Sequence, residues 1–113
     1  MVEKKTVKPY KVFSRNEVLV MKNIRKVNEF IDGTNTHNDK CKALVGVDID
    51  GLKSYLEEKF NDKISWENYK KKWDIGFYLR PYNFDMKNAV DRGTCFYYEN
   101  LYPKLQVVSA LTV

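Results

Sequence analysis

The chain is 113 residues long, 43% hydrophobic, 31% charged and 14% aromatic, with twenty Lys or Arg against fifteen Asp or Glu and a formal net charge of +5. That length supports one hydrophobic core of modest size and excludes a second. A mean hydropathy of -0.57 and the lack of any apolar run near about 18 residues exclude a membrane-spanning helix, and the start, MVEKKTVK, leads into no signal-type apolar stretch.

Residues 1–13 read as an extended arm or edge strand: Val7, Tyr10, Val12 and Phe13 lie among lysines, and Pro9 excludes an early helix. Ser14 and Glu17 form a capping box that predicts a helix start. Val20, Ile24, Val27 and Ile31 then recur at helical spacing as one apolar stripe, and Asp32-Gly33 closes the helix. Polar residues 33–40, GTNTHNDK, predict an exposed connection.

Asp50 is the expected cap of a second helix, with Leu52, Tyr55, Leu56 and Phe60 on its buried face. Residues 64–73, ISWENYKKKW, space Trp66, Tyr69 and Trp73 for a short helical turn that buries aromatics. DIGFYLRPYNFDM follows, with Pro81 and Asn83 marking a bend, and reads as strand, turn and return. Asp85 is the expected cap of a third short helix running through Asp91 and stopped by Gly93. The remainder, TCFYYENLYPKLQVVSALTV, reads as extended segments around Asn100 and Pro103, with a strand-like end from Val107 to Val113.

The positive charge is concentrated at the front. Residues 1–40 hold nine Lys or Arg against five acids, residues 41–72 seven against six, and residues 73–113 four against four. The expected phosphate-binding residues are Lys4, Lys5, Arg15, Lys22, Arg25, Lys26, Lys70, Lys71, Lys72 and Arg80, because each neutralised phosphate releases counterions. The alternative use of such charge is a solvated, soluble surface. Cys41 and Cys95 are too few for a secreted disulfide framework, which points to a reducing compartment. With His37 they could offer three zinc ligands, but their spacing fits no standard finger and a fourth ligand has no source. No cofactor is therefore expected. His37 is the sole histidine, and no nucleophile motif accompanies it to form a triad.

Between Leu44 and Leu105 the motifs LVGVDIDGLKSYLEEKF, ISWENYKKKWDIGFYLRP, NFDM and CFYYENLYPKL occur in that order. This run of about 60 residues resembles HNH-type endonucleases of giant DNA viruses and some phages. In those proteins a leucine-rich helix precedes an MTWENYG turn, then WxIDHIxP, FDL and a late HYxNLQPL. The resemblance implies an α+β single domain spanning 1–113: a basic arm and helix over 1–40, then an HNH-like region over 41–113 with helices packed on a small antiparallel ββα-like unit. The catalytic Asp-His pair of the pattern meets Gly76 and Phe77 here, and the histidine before the late NL meets Tyr97. Asn100 matches, but the family's further Asn and Lys meet Val108, Ser109 and Ala110.

Neither glycine nor phenylalanine can take a proton from water or hold a divalent ion, so the resemblance implies a pseudo-nuclease with no catalytic or metal-binding residue. The phenyl ring of Phe77 is expected to fill the old metal pocket. Asp74 shares a strand face with Gly76 and is the one carboxylate placed to rescue metal binding, which defines a degenerate site of Asp74, Gly76, Phe77, Tyr97 and Asn100. The expected function is non-catalytic DNA binding through phosphates, with low sequence specificity, no membrane, and a setting in the host cytoplasm or nucleus or inside a virus particle. The alternative is a structural protein of a virus particle that pairs with a second copy or another viral protein, and the third reading is a weak metal-dependent nuclease.

Overall fold

The computed structural model describes residues 13–34 and 38–106. The expected arm, with Lys4 and Lys5, the sole histidine His37 and the strand-like end from Val107 lie outside the described residues. The fold is α+β, with four α-helices and a two-stranded antiparallel sheet among the described residues.

Helix α1 spans Arg15–Asp32 and begins as its capping box dictates. The Glu17 amide donates to Ser14 Oγ at 3.1 Å, and the Ser14 amide donates to Glu17 Oε1 at 2.9 Å. Gly33 closes the helix at φ 84, donating its N–H to the Glu29 carbonyl. Val20, Val27 and Ile31 are buried as their spacing predicts, together with Phe30 and Asn23. Asn16 ties the first turn to the distant 84–86 segment, donating to the Phe84 carbonyl at 3.0 Å and accepting from the Met86 amide at 2.8 Å.

Helix α2, Asn38–Val45, corrects the expected connection over 33–40, because its last three residues already belong to the helix. The polar tip hid an apolar face one turn further on, where Cys41 and Val45 are buried against α1 and α4. Helix α3, Ile49–Glu57, is capped by Asp48 and not by Asp50: Asp48 Oδ1 accepts from the Gly51 amide at 2.8 Å. Asp50 sits one residue inside the helix, where it faces the positive end of the helix dipole. Leu52 and Leu56 are fully buried.

Residues 60–73 build an aromatic cluster around Trp73, which is fully buried. Its ring centroid lies 5.3 Å from those of Phe60 and Trp66 and 4.8 Å from that of Tyr69. Every polar edge in the cluster is satisfied. Trp73 Nε1 donates to the Ser65 carbonyl, Trp66 Nε1 to Glu57 Oε2, and the Tyr69 hydroxyl to Asn28 Oδ1, each at 2.6 Å. Asn68 clamps the turn, accepting from the Ser65 amide and donating to the Lys63 carbonyl, both at 2.9 Å. Trp66, Asn68 and Tyr69 of the WENY motif thus bind the chain itself.

Strands β1, Trp73–Phe77, and β2, Leu101–Leu105, pair antiparallel with Trp73 opposite Leu105 and Phe77 opposite Leu101. This corrects the expected hairpin return: Pro81–Asn83 is a short 3-10 turn, and β1's partner comes from 24 residues later in the register pair of Phe77 with Leu101. Helix α4 is Ala89–Phe96, capped by Asn88, which accepts from the Asp91 amide at 2.9 Å. The expected cap Asp85 instead accepts from the Lys87 amide, and Gly93 does not stop the helix. Burying Cys95 and Phe96 outweighs the roughly 1 kcal/mol that an interior glycine costs. Cys95 and Phe96 are accordingly helical, not extended. A helix following β2, as a ββα unit requires, would fall outside the described residues.

Lys70 has φ 70, the only non-glycine residue with positive φ among the described residues. It occupies the place of the glycine in the MTWENYG pattern. A left-handed conformation costs an L-residue about 1–2 kcal/mol, partly offset by the greater chain entropy that glycine loses on folding. We predict that Lys70→Gly is more stable than Lys70→Ala by about 1 kcal/mol in urea denaturation. Both variants lose the same Lys70–Asp32 ion pair, so the comparison isolates the backbone.

Candidate nucleic-acid interface

Because side chains alternate along a strand, burial of Trp73 sets the two faces of the sheet. Ile75 and Phe77 of β1 and Leu101 and Pro103 of β2 face the core, while Asp74, Gly76, Tyr102 and Lys104 form the outer face. Phe77 therefore points to the opposite face of the sheet from position 76. Its ring packs edge-on against Phe96, with centroids 5.5 Å apart. The ring that covers position 76 is Tyr102, its cross-strand partner. A Cβ placed on Gly76 would lie 2.7 Å from Tyr102 Cζ and 2.8 Å from Lys104 Cβ, so a side chain there requires the sheet face to move.

The other residues expected at the degenerate site do not converge on this face. Asn100 is buried, and its side chain accepts from the Leu79 amide at 2.8 Å and donates to the carbonyls of Cys95 at 2.7 Å and Leu79 at 3.2 Å. Its backbone carbonyl accepts from Tyr78. Asn100 thus stitches the end of α4 to the segment leaving β1. Tyr97 lies over Gly46, where an added Cβ would come within 2.7 Å of its ring, and stacks obliquely on Tyr98. Asp74 stays on the outer face with Gly76; its Oδ1 accepts from the Ile75 amide at 2.6 Å. Among the described residues there is no group of three or more His, Cys, Asp or Glu able to hold a metal ion.

Cys41 and Cys95 are both buried free thiols. Burial pushes the Cys41 thiol up and the Cys95 thiol up to about 12. Both are neutral core side chains at physiological pH, a poor state for ligating zinc. Burial also drives the Tyr69 hydroxyl far up, reinforced by Asp74 and Asp32.

The expected cations among the described residues fall on three surfaces. Arg15, Lys22 and Arg25 are exposed on α1 and Lys26 is half-buried. Lys22 and Arg25 flank a shallow depression that also contains Val18 and Met21, while Arg25 reaches Glu29 at 4.0 Å. Lys70, Lys71 and Lys72 are exposed on the turn before β1. Lys70 Nζ lies 3.9 Å from Asp32 Oδ2, so part of that triplet is already neutralised. Arg80 borders an open groove of about 570 Å³ lined by Ile24 of α1, β1 from Asp74 to Phe77, Tyr102 and Lys104 of β2, and Pro81 and Tyr82.

Lys104, Tyr82 and Tyr102 line this groove and Tyr78 adjoins it, but none was singled out from sequence. Tyr78 stacks on Tyr102 with centroids 4.6 Å apart and planes at 27°. The signal for Tyr102 and Lys104 is alternation along β2, which becomes useful only once the strand register is known. The signal for Tyr78 and Tyr82 is the YLRPY run, whose aromatics read more simply as a buried strand.

No protein-family model matches the chain, and no solved structure matches it. It is similar to two proteins of Acanthamoeba polyphaga mimivirus. "Uncharacterized protein L426" is 28% identical over 67 residues, which is 59% of this chain and 30% of that protein. "Uncharacterized protein L246" is 23% identical over 105 residues, 90% of this chain and 46% of that protein. The chain thus spans less than half the length of either relative. No helix among the described residues is long and apolar enough to cross a membrane.

Two outcomes follow from the buried polar groups. Asn100→Ala strands the Leu79 amide and the Cys95 carbonyl, and urea denaturation should show a loss of about 2–4 kcal/mol. Between pH 9, the ordinary thiol value, and about 12, the folded chain holds a Cys95 proton that the unfolded chain releases. The stabilisation is therefore full below pH 9 and declines as pH rises through that window. The urea midpoint should fall from pH 8.5 to pH 10.5 by roughly the slope of one proton, and less steeply in Cys95→Ala.

Proposed function

We propose that the chain is a non-catalytic DNA-binding protein of viral origin, built on an HNH-like scaffold whose centre is closed. The observation that carries this reading is the cover over position 76. Where the resembled pattern places its aspartate there is a glycine, and the ring of the tyrosine opposite lies against the place where the β-carbon of an aspartate would stand. The neighbouring Phe77 is committed to the core and offers no base. Asp74 is a single carboxylate satisfied by a backbone amide.

Electrostatics supplies the binding half of the proposal. The outer face of α1, the Lys70–Lys72 turn and Arg80 present cations, and among the described residues Lys22, Lys71, Lys72 and Arg80 have no ion-pair partner. Contacts of this kind act on phosphates and give little base readout. The mimivirus relatives support a viral setting. A second reading, a packing protein of a virus particle, draws on Val18 and Met21, exposed to 47% and 38% between the cations of α1. A salt-insensitive assembly in size-exclusion chromatography, free of nucleic acid, would favour that reading.

The test is titration of labelled duplex across a salt series. The logarithm of the binding constant should fall linearly with the logarithm of salt concentration. The Lys70, Lys71 and Lys72 triple alanine variant should reduce that slope by about 2, not 3, because Lys70 is held by Asp32. Lack of any shift at low salt would remove duplex binding. Plasmid incubated with Mg²⁺ or Mn²⁺ should stay intact, and cleavage that disappears in Asp74→Ala would mean that the centre works.

A further inference from the structure

The groove on the outer face of the sheet has a composition that phosphate contacts alone do not explain. Tyr82, exposed to 54%, lines it, and Tyr78, exposed to 58%, adjoins it by stacking on the lining residue Tyr102. Arg80 lies among them, and Lys104 stands across from Asp74 in the strand register. Neither cation has a hydrogen-bond or ion-pair partner for its charged head among the described residues, whereas the Asp74 carboxylate accepts from the Ile75 amide. One satisfied carboxylate against two unpaired cations leaves the groove positive.

The rings are ordered before any ligand arrives. Tyr102 is set over the bare α-carbon of Gly76, and Tyr78 is stacked on Tyr102 at 4.6 Å. Exposed aromatic rings, one of them stacked on a strand tyrosine, beside unpaired cations, are what unpaired nucleic-acid bases require. The ring takes the base by stacking, and the cation takes the adjoining phosphate. A duplex hides its base faces and can use only the cations.

We propose that this groove binds single-stranded nucleic acid, with an unpaired base stacked on the Tyr78–Tyr102 pair or on Tyr82 and its phosphate held by Arg80 and Lys104. The inference rests on the nucleic-acid reading above and narrows it to strands with free bases. It also gives Gly76 a second consequence: the closure that removes a catalytic side chain builds the floor of the stack.

The test compares four labelled probes of equal length: oligo-dT, oligo-U, oligo-dT with abasic sites, and duplex. Oligo-dT or oligo-U should bind more tightly than duplex, and abasic sites should weaken binding about 5- to 150-fold. Stronger binding to one of the two single strands identifies DNA or RNA as its source. Tyr78→Ala should cause a loss of similar size for single strands and leave duplex binding unchanged, while Tyr78→Phe, which keeps the ring, should bind as the parent does. Tyr78 is exposed, so the alanine variant removes little from the core. Equal binding of intact and abasic strands, with duplex bound as well as either, would overturn the inference while leaving phosphate binding in place. Binding to none of the four would overturn both.

Discussion

The placement of Trp73 is the constraint from which the outer surface follows. Its indole is fully buried among Phe60, Trp66 and Tyr69, and its N–H is spent on the Ser65 carbonyl. A strand that begins with that residue pointing inward must send Asp74 and Gly76 outward and Phe77 back into the core. A one-residue slip would expose the apolar set and bury a carboxylate, so the register is energetically fixed. The Asn68 clamp and the Tyr69–Asn28 hydrogen bond then hold the strand's entry against α1.

The same constraint separates residues that are close in sequence. Gly76 and Phe77 are neighbours, yet one forms the floor beneath an aromatic stack and the other packs on Phe96. Asn100 and Tyr97 are three residues apart, and one is a buried stitch while the other covers Gly46. A constellation proposed from motif order is therefore tested by which face each member occupies. Here only Asp74 and Gly76 share one.

Elements with a strong local signal were legible in the sequence. The Ser14–Glu17 box, the Val20 to Ile31 stripe and the left-handed Gly33 each act within a few residues and yielded α1 with both ends. The aromatic turn was legible because Trp66, Tyr69 and Trp73 are spaced to meet. Elements decided by distant packing were not. Helix α2 is polar at its start and gains its stability from Cys41 and Val45 against two other helices, and α4 passes through Gly93 to bury Cys95 and Phe96. The partner of β1 lies beyond an intervening helix, which hid the pairing of Gly76 with Tyr102 and so hid which ring covers position 76. The α1 cations were readable from periodicity, whereas Lys104 and the tyrosines beside it acquire meaning only from that register.

The Gly76–Tyr102 pair also restricts the routes open to this sequence over evolutionary time. Any residue with a β-carbon at position 76 meets the tyrosine ring and the Lys104 backbone-proximal carbon at once, so a lone substitution arrives in a damaged sheet. The Tyr102 ring and the Lys104 β-carbon must both give way first, and until then the first change brings no benefit. Such dependence of one site on another acts as a ratchet: a side chain larger than hydrogen does not enter position 76 by changing a single codon.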